Sequence, residues 1–208
     1  MILFACISPH PPLLLPEIGS ASDRQLVEKT IRALENLGNK MAATKPELIV
    51  ISSPHENWGF NVPLRFLARS LNARIETFLT REDSPEDHFN AGRDFYFSEL
   101  KTKKEKIALV ASGDLSHRLK ADGPYGLHAD GAKFDKGLIE ALKNKDVAAI
   151  TGLDEKYPQA GECGLRSFCF AIGILQAARI KWQPEIISYE APFGVGYLAA
   201  DLIGKNNF

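Results

Sequence analysis

Lys106-Ile-Ala-Leu-Val-Ala111 runs without a break into Ser112-Gly-Asp-Leu-Ser-His117. A short continuous apolar run that ends in turn residues reads as a strand buried on both faces. The pattern occurs twice more. Ile2 to Ile7 stops at Ser8-Pro9-His10, and Glu47 to Ser52 stops at Ser53-Pro54-His55. Helices are expected from Ser22 or Asp23 to Ala43, from Pro85 to Lys103, from Asp130 to Lys143 and from Glu162 to Ala178. Val62 to Phe66, Arg74 to Phe78, Glu185 to Tyr189 and Val195 to Asp201 read as further strands. The proline-rich stretch from Ser8 to Ser20 reads as irregular, and long irregular segments in compact domains are usually functional. Strands alternating with long helices imply an α/β sandwich with a largely parallel or mixed sheet. Ligands of such sheets bind beyond the carboxyl ends of the strands.

Composition narrows the function classes. The 208 residues, with no repeat or linker, are expected to form one domain over 1–208. Lys+Arg 25 against Asp+Glu 26 leaves a net charge of -1. That lacks the basic excess of a nucleic-acid binder. The three cysteines, Cys6, Cys163 and Cys169, are too few for a disulfide framework and suit a reducing compartment. The N-terminus is apolar for only seven residues and reads as a strand rather than a signal peptide. No apolar run approaches the ~20 residues of a membrane span. A cytoplasmic protein without membrane or nucleic-acid partners is expected.

Three of five histidines, His10, His55 and His117, follow directly on buried strands. In neighbouring strands they would meet at one sheet edge. Imidazole is both the commonest metal ligand and the commonest general base near neutral pH. Two histidines and a carboxylate suit non-haem Fe(II), and three ligands with an open place suit a catalytic zinc. Glu162, in Ala160-Gly-Glu-Cys-Gly164, offers the carboxylate, or else partners a helix N-terminus; adjacent Cys163 is a softer ligand. Asp114 either orients an imidazole or caps a turn, and His128 either lines a pocket or caps a helix. His88 is expected on the surface, and Cys6 and Cys169 in the core.

Ser8-Pro-His10-Pro-Pro, Ser53-Pro-His55, Ser112-Gly-Asp-Leu-Ser-His117, Gly161-Glu-Cys-Gly164 and Ser188-Tyr-Glu-Ala-Pro-Phe-Gly-Val-Gly-Tyr197 together resemble the class III extradiol ring-cleavage dioxygenases. More narrowly, they resemble the LigB-like beta-subunit domains and their Memo-like relatives. The resemblance implies a three-layer α/β/α domain. It also implies Fe(II) held by His10, His55 and a carboxylate matched by Glu162, with His117 as acid/base toward a catechol and dioxygen as co-substrate. Asp114 and His128 are the further catalytic candidates. In Memo-like proteins a cysteine stands where Cys163 stands here. That alternative implies a copper, zinc or iron protein that does not cleave rings. No segment resembles the small subunit that covers the substrate in two-subunit enzymes, so a homo-oligomer or a covering partner is expected. Between Glu162 and Cys163 the expectation rests on Glu162, because a facial-triad Fe(II) takes a carboxylate.

Overall fold

The computed structural model describes residues 1–204; residues 205–208 of the expected domain lie outside them. Its strands are β1 (Ile2–Ser8), β2 (Leu48–Ser53), β3 (Arg74–Leu79), β4 (Ile107–Ser112), β5 (Glu185–Glu190) and β6 (Tyr197–Asp201). They form a mixed sheet in the order β3-β2-β4-β1-β6-β5. β3, β2, β4 and β1 pair in parallel, whereas β6 runs antiparallel to both β1 and β5. The three apolar runs are thus the three adjacent central strands.

Helices cover both faces. The chain order is α1 (Ala21–Leu26), α2 (Glu28–Thr44), α3 (Trp58–Leu67), α4 (Pro85–Phe95), α5 (Ala129–Asn144), α6 (Val147–Thr151), α7 (Leu153–Lys156) and α8 (Leu165–Ala177). Side chains alternate along each strand. Phe4, Cys6, Ile49, Ile51, Ala108 and Val110 face Leu34, Leu37 and Met41 of α2 and Val62 of α3. Ala5, Ile7, Leu48, Val50, Ile107 and Leu109 face Phe134 and Leu138 of α5 and Phe168, Ile172 and Leu175 of α8. This is the expected three-layer α/β/α arrangement. Both Cys6 and Cys169 lie in these cores.

Four local expectations are corrected. Val62 to Phe66, expected as a strand, lies inside α3, which contains Pro63. β-branched and aromatic residues favour strands only weakly, and here packing against α2 decides. The first long helix breaks at Val27 (φ -112), and its cap is Ser20, whose Oγ accepts from the Asp23 N–H. α4 gives way after Phe95 to a π turn over Tyr96–Leu100. His88 is buried, with Nδ1 3.0 Å from the Ser84 carbonyl oxygen.

Asp135 of α5 ties the loop after β4 to the rest of the fold. Its Oδ1 accepts from the Ser116 N–H at 2.8 Å, and its Oδ2 accepts from the Tyr189 hydroxyl at 2.6 Å. Burial outweighs these bonds and lifts its carboxyl from 3.8 to about 6. A carboxyl raised on folding stabilises fully below its unfolded value, and that contribution is lost as pH rises through the folded value. Asp135 should therefore cost the fold up to about 3 kcal/mol between pH 4 and pH 7. Asn at this position keeps the acceptor for Ser116 and donates to the Tyr189 oxygen instead. Asp135→Asn should flatten this part of the profile and raise stability at pH 8. Urea midpoints for both proteins at pH 5 and pH 8 check it; equal pH slopes would rule it out.

Candidate metal centre

The register sets the site. Ser8 of β1 pairs with Ser112 of β4, and Ser52 of β2 pairs with Ala111, so three parallel strands end level with one another. Two residues further on stand His10, His55 and Asp114. The His10 and His55 ring centroids are 5.2 Å apart and nearly edge-to-face. The turn before α8 brings in the fourth element. Cys163 Sγ lies 3.5 Å from His10 Nε2 and accepts from the Asp114 N–H at 3.3 Å. The N–H groups of Cys163 and Gly164 both donate to the Asp114 carbonyl oxygen, at 3.3 and 3.0 Å.

Two overlapping ligand groups result. One ligand atom each from His10, His55 and Cys163 lie within 4.8 Å of one another, and so do atoms of Asp114, His117 and Cys163. The thiol belongs to both. His10 is 2% exposed. Burial first, then the neighbouring His117 charge, lowers its pKa to about 3. It is neutral at neutral pH, so its 3.8 Å approach to Asp114 Oδ2 is not an ion pair there. Burial likewise lowers His55, lifts Asp114 to about 6 and raises the Cys163 thiol. Neutral imidazoles are the form in which histidine binds metals.

His117 stands on the rim. Its N–H donates to the Gly161 carbonyl oxygen at 3.3 Å, and its ring meets the exposed Tyr125 ring edge-on at 5.1 Å. Its Nδ1 is buried and has no hydrogen-bond partner among the described residues. A buried polar atom without a partner is costly unless something outside the protein satisfies it.

Glu162 and His128 are employed elsewhere. α8 starts at Leu165, three residues later than expected, and the Glu162 carboxylate accepts from the Leu165 N–H at 2.6 Å and meets Arg166 Nη1 at 3.4 Å. It belongs to neither ligand group among the described residues, and burial lifts its pKa to about 7. Glu162, expected to lead into the site, is turned toward α8 here: residues 161–164 precede that helix, with Gly161 at φ 64, rather than forming its first turn. His128 caps α5, its Nδ1 accepting from the Asp130 N–H at 3.1 Å, and it too lies outside both groups. Sequence reading passed over Ser112, whose Oγ is 2.9 Å from His10 Nδ1, and Trp58, whose ring lies 5.5 Å from that of His55. A serine at the end of a central strand and an aromatic three residues after a strand-end histidine were the available signals.

The donor set tests what could bind. Two neutral imidazoles and a thiol, mutually in reach, fit a metal ion. Glu162, turned to Leu165 and Arg166, is not presented together with His10 and His55 among the described residues.

Residues 56–200 match the family described as the catalytic LigB subunit of aromatic ring-opening dioxygenase. The chain belongs to the LigB family. The LigB match begins one residue after His55 and includes Asp114, His117 and Cys163. Protein CA_C1420 of Clostridium acetobutylicum is 48% identical over 94 residues, which are 45% of this chain and only 20% of that protein's length. The uncharacterized protein JW3007 of Escherichia coli K12 superposes with a TM-score of 0.59 over 95% of this chain and 98% of that one. At 12% identity that likeness speaks for the fold alone. No helix among the described residues is long and apolar enough to cross a membrane.

Proposed function

We propose that this LigB-family chain is a soft-metal redox protein of the Memo-like kind, with His10, His55 and Cys163 as the ligands. One observation carries the reading: Cys163 Sγ sits 3.5 Å from His10 Nε2, while Glu162 serves the start of α8. A thiolate with two imidazoles selects copper or zinc over the ferrous ion of a carboxylate triad. A copper ion held there would supply one-electron chemistry. The protein's own groups have three tasks. His10 and His55 present uncharged lone pairs. Cys163 gives up its proton and is steadied by the Asp114 N–H. The surrounding β1, β4 and α8 segments keep His10 and Asp114 out of water.

A second reading, ring-opening dioxygenation of a catecholic substrate, is favoured by His117. Its unpartnered Nδ1 and the neighbouring Tyr125 ring would suit a phenolic hydroxyl that gives up a proton beside an aromatic wall. Anaerobic purification, metal analysis and oxygen uptake on catechols separate the two. Copper or zinc at one per chain without uptake supports the first. Iron with catechol-dependent uptake overturns it in favour of the second.

His117 also gives a prediction common to both readings. His117→Ala should still hold the metal through dialysis, because the ligands of either reading remain, His10 and His55 with Cys163 or with Glu162; loss of an outer group lowers affinity about 10–100-fold. A His117→Ala protein that emptied on dialysis would make His117 a ligand and move the ion toward Asp114.

A further inference from the structure

We infer that Ser112 sets the tautomer of His10, and that Pro63 in α3 holds Ser112 to that task. The inference rests on the proposed metal centre only for its purpose; the hydrogen-bond pattern stands without it. Proline has no N–H, so α3 lacks the donor that residue 63 would offer to the Gly59 carbonyl four residues back. Ser112 Oγ donates to that carbonyl oxygen instead. A hydroxyl carries one hydrogen. Toward His10 Nδ1, 2.9 Å away, Ser112 can therefore only accept. Nδ1 carries the imidazole proton, and the lone pair is on Nε2. Nε2 is the nitrogen that faces Cys163 Sγ at 3.5 Å.

Ser112 is fully buried and His10 nearly so, which keeps competing solvent from this chain of bonds. The reverse tautomer would leave Nδ1 with no donor to accept from and turn an N–H toward the cation. The link runs from a residue on one helix, through a strand end, to the proton position on a ligand. Partners of this kind fix ring orientation and tautomer in metal sites, and their loss lowers metal affinity about 10–100-fold.

The test is nitrogen NMR on metal-free protein with labelled histidine at pH 8, where imidazole is neutral. Wild type should show His10 protonated at Nδ1 and bare at Nε2. Ser112→Ala should lose that single-tautomer signature and bind copper about 10–100-fold more weakly. Pro63→Ala returns a helical donor to Gly59 and frees the Ser112 hydrogen, so the same signals should shift toward a mixture without unfolding. His10 protonated at Nε2 in wild type would overturn the inference. So would a Ser112→Ala spectrum unchanged at His10. A wild type with the Nδ1 proton that takes up no metal would uphold the tautomer assignment while removing the metal reading.

A different region carries a second inference: we infer a site for a small polyanion, of the diphosphate class, between α1, α2 and α3. Arg24, Arg65 and Arg69 line a cavity of about 460 Å³ with Glu35, Asn39 and Ser70. None of the three guanidinium groups has a carboxylate partner among the described residues, and Arg24 Nε is buried without a hydrogen-bond partner. The carbonyl end of α3 attracts Arg65, but it does not account for Arg24. Guanidinium forks match phosphate oxygens two at a time. Calorimetry with pyrophosphate and with inorganic phosphate on the full chain tests it. Saturable pyrophosphate binding, weakened at least about 10-fold by Arg24→Gln and only slightly by Lys133→Gln elsewhere, supports the site; a tenfold change matches one lost charged hydrogen bond. Absence of saturable binding, or equal binding by Arg24→Gln, overturns it.

Discussion

Cys163→Ser should empty the metal centre, and Glu162→Gln should leave it filled. A hydroxyl stays protonated where a thiol can become a thiolate, so the serine variant keeps shape and loses the anionic soft ligand. Loss of an outer partner already costs about 10–100-fold, so loss of the ligand itself should exceed about 100-fold in affinity. The free Cys163 thiol is held protonated by burial, and the cation must displace that proton before sulfur can bind. Glu162→Gln keeps an oxygen that accepts from the Leu165 N–H and gives up only the contact with Arg166. Metal content after dialysis, with a competing chelator for affinity, reads both variants. Metal lost from Glu162→Gln and kept by Cys163→Ser would restore the carboxylate triad and with it the ferrous dioxygenase reading.

The same pair shows what the sequence could and could not disclose. His10 and His55 were legible because each follows a strand buried on both faces, and three such strands in one α/β chain have few ways to lie other than side by side. Their convergence then follows from parallel pairing. The choice between Glu162 and Cys163 was not legible. It depends on where α8 begins, and Gly161-Glu-Cys-Gly164 contains no strong stop or start signal for a helix that is apolar on every side. A three-residue shift in that start turns the Cys163 thiol toward His10 and leaves the Glu162 carboxylate at the start of α8. α3 was misread for a related reason. Val62, Pro63 and Phe66 argue locally against a helix, and the donor missing at Pro63 is replaced from β4, a strand more than forty residues away in the chain. His117 and Tyr125 meet through a loop whose path is set by Asp135 and Gly196, neither of which announces it in the sequence.

Gly113→Ala should damage stability and metal binding together. The loop leaving β4 passes so close to the turn before α8 that a Cβ on Gly113 would lie 2.2 Å from Gly164 Cα and 3.1 Å from Gly164 N. Both are backbone atoms, so no side chain can swing aside, and one segment must retreat. The retreat acts on the bonds that hold the two together: Cys163 and Gly164 N–H to the Asp114 carbonyl oxygen, and Asp114 N–H to Cys163 Sγ. Overpacking a tight site costs about 1–3 kcal/mol, and each stretched buried hydrogen bond adds about 0.5–1.5 kcal/mol. A loss of about 3–5 kcal/mol is expected, a large share of the ~5–15 kcal/mol that holds a typical domain folded. Cys163 moves away from His10 in the same displacement, so whatever protein remains folded should also fail to keep metal. Gly152→Ala is the matched control, since its Cβ would meet only the Ala148 carbonyl oxygen at 3.4 Å, an ordinary contact. Urea unfolding gives the stability and dialysis followed by metal analysis gives the site. A Gly113→Ala protein with the wild-type midpoint and a full complement of metal would mean that the two backbones are not in contact, and that Cys163 is aimed at the histidines by something other than this crossing.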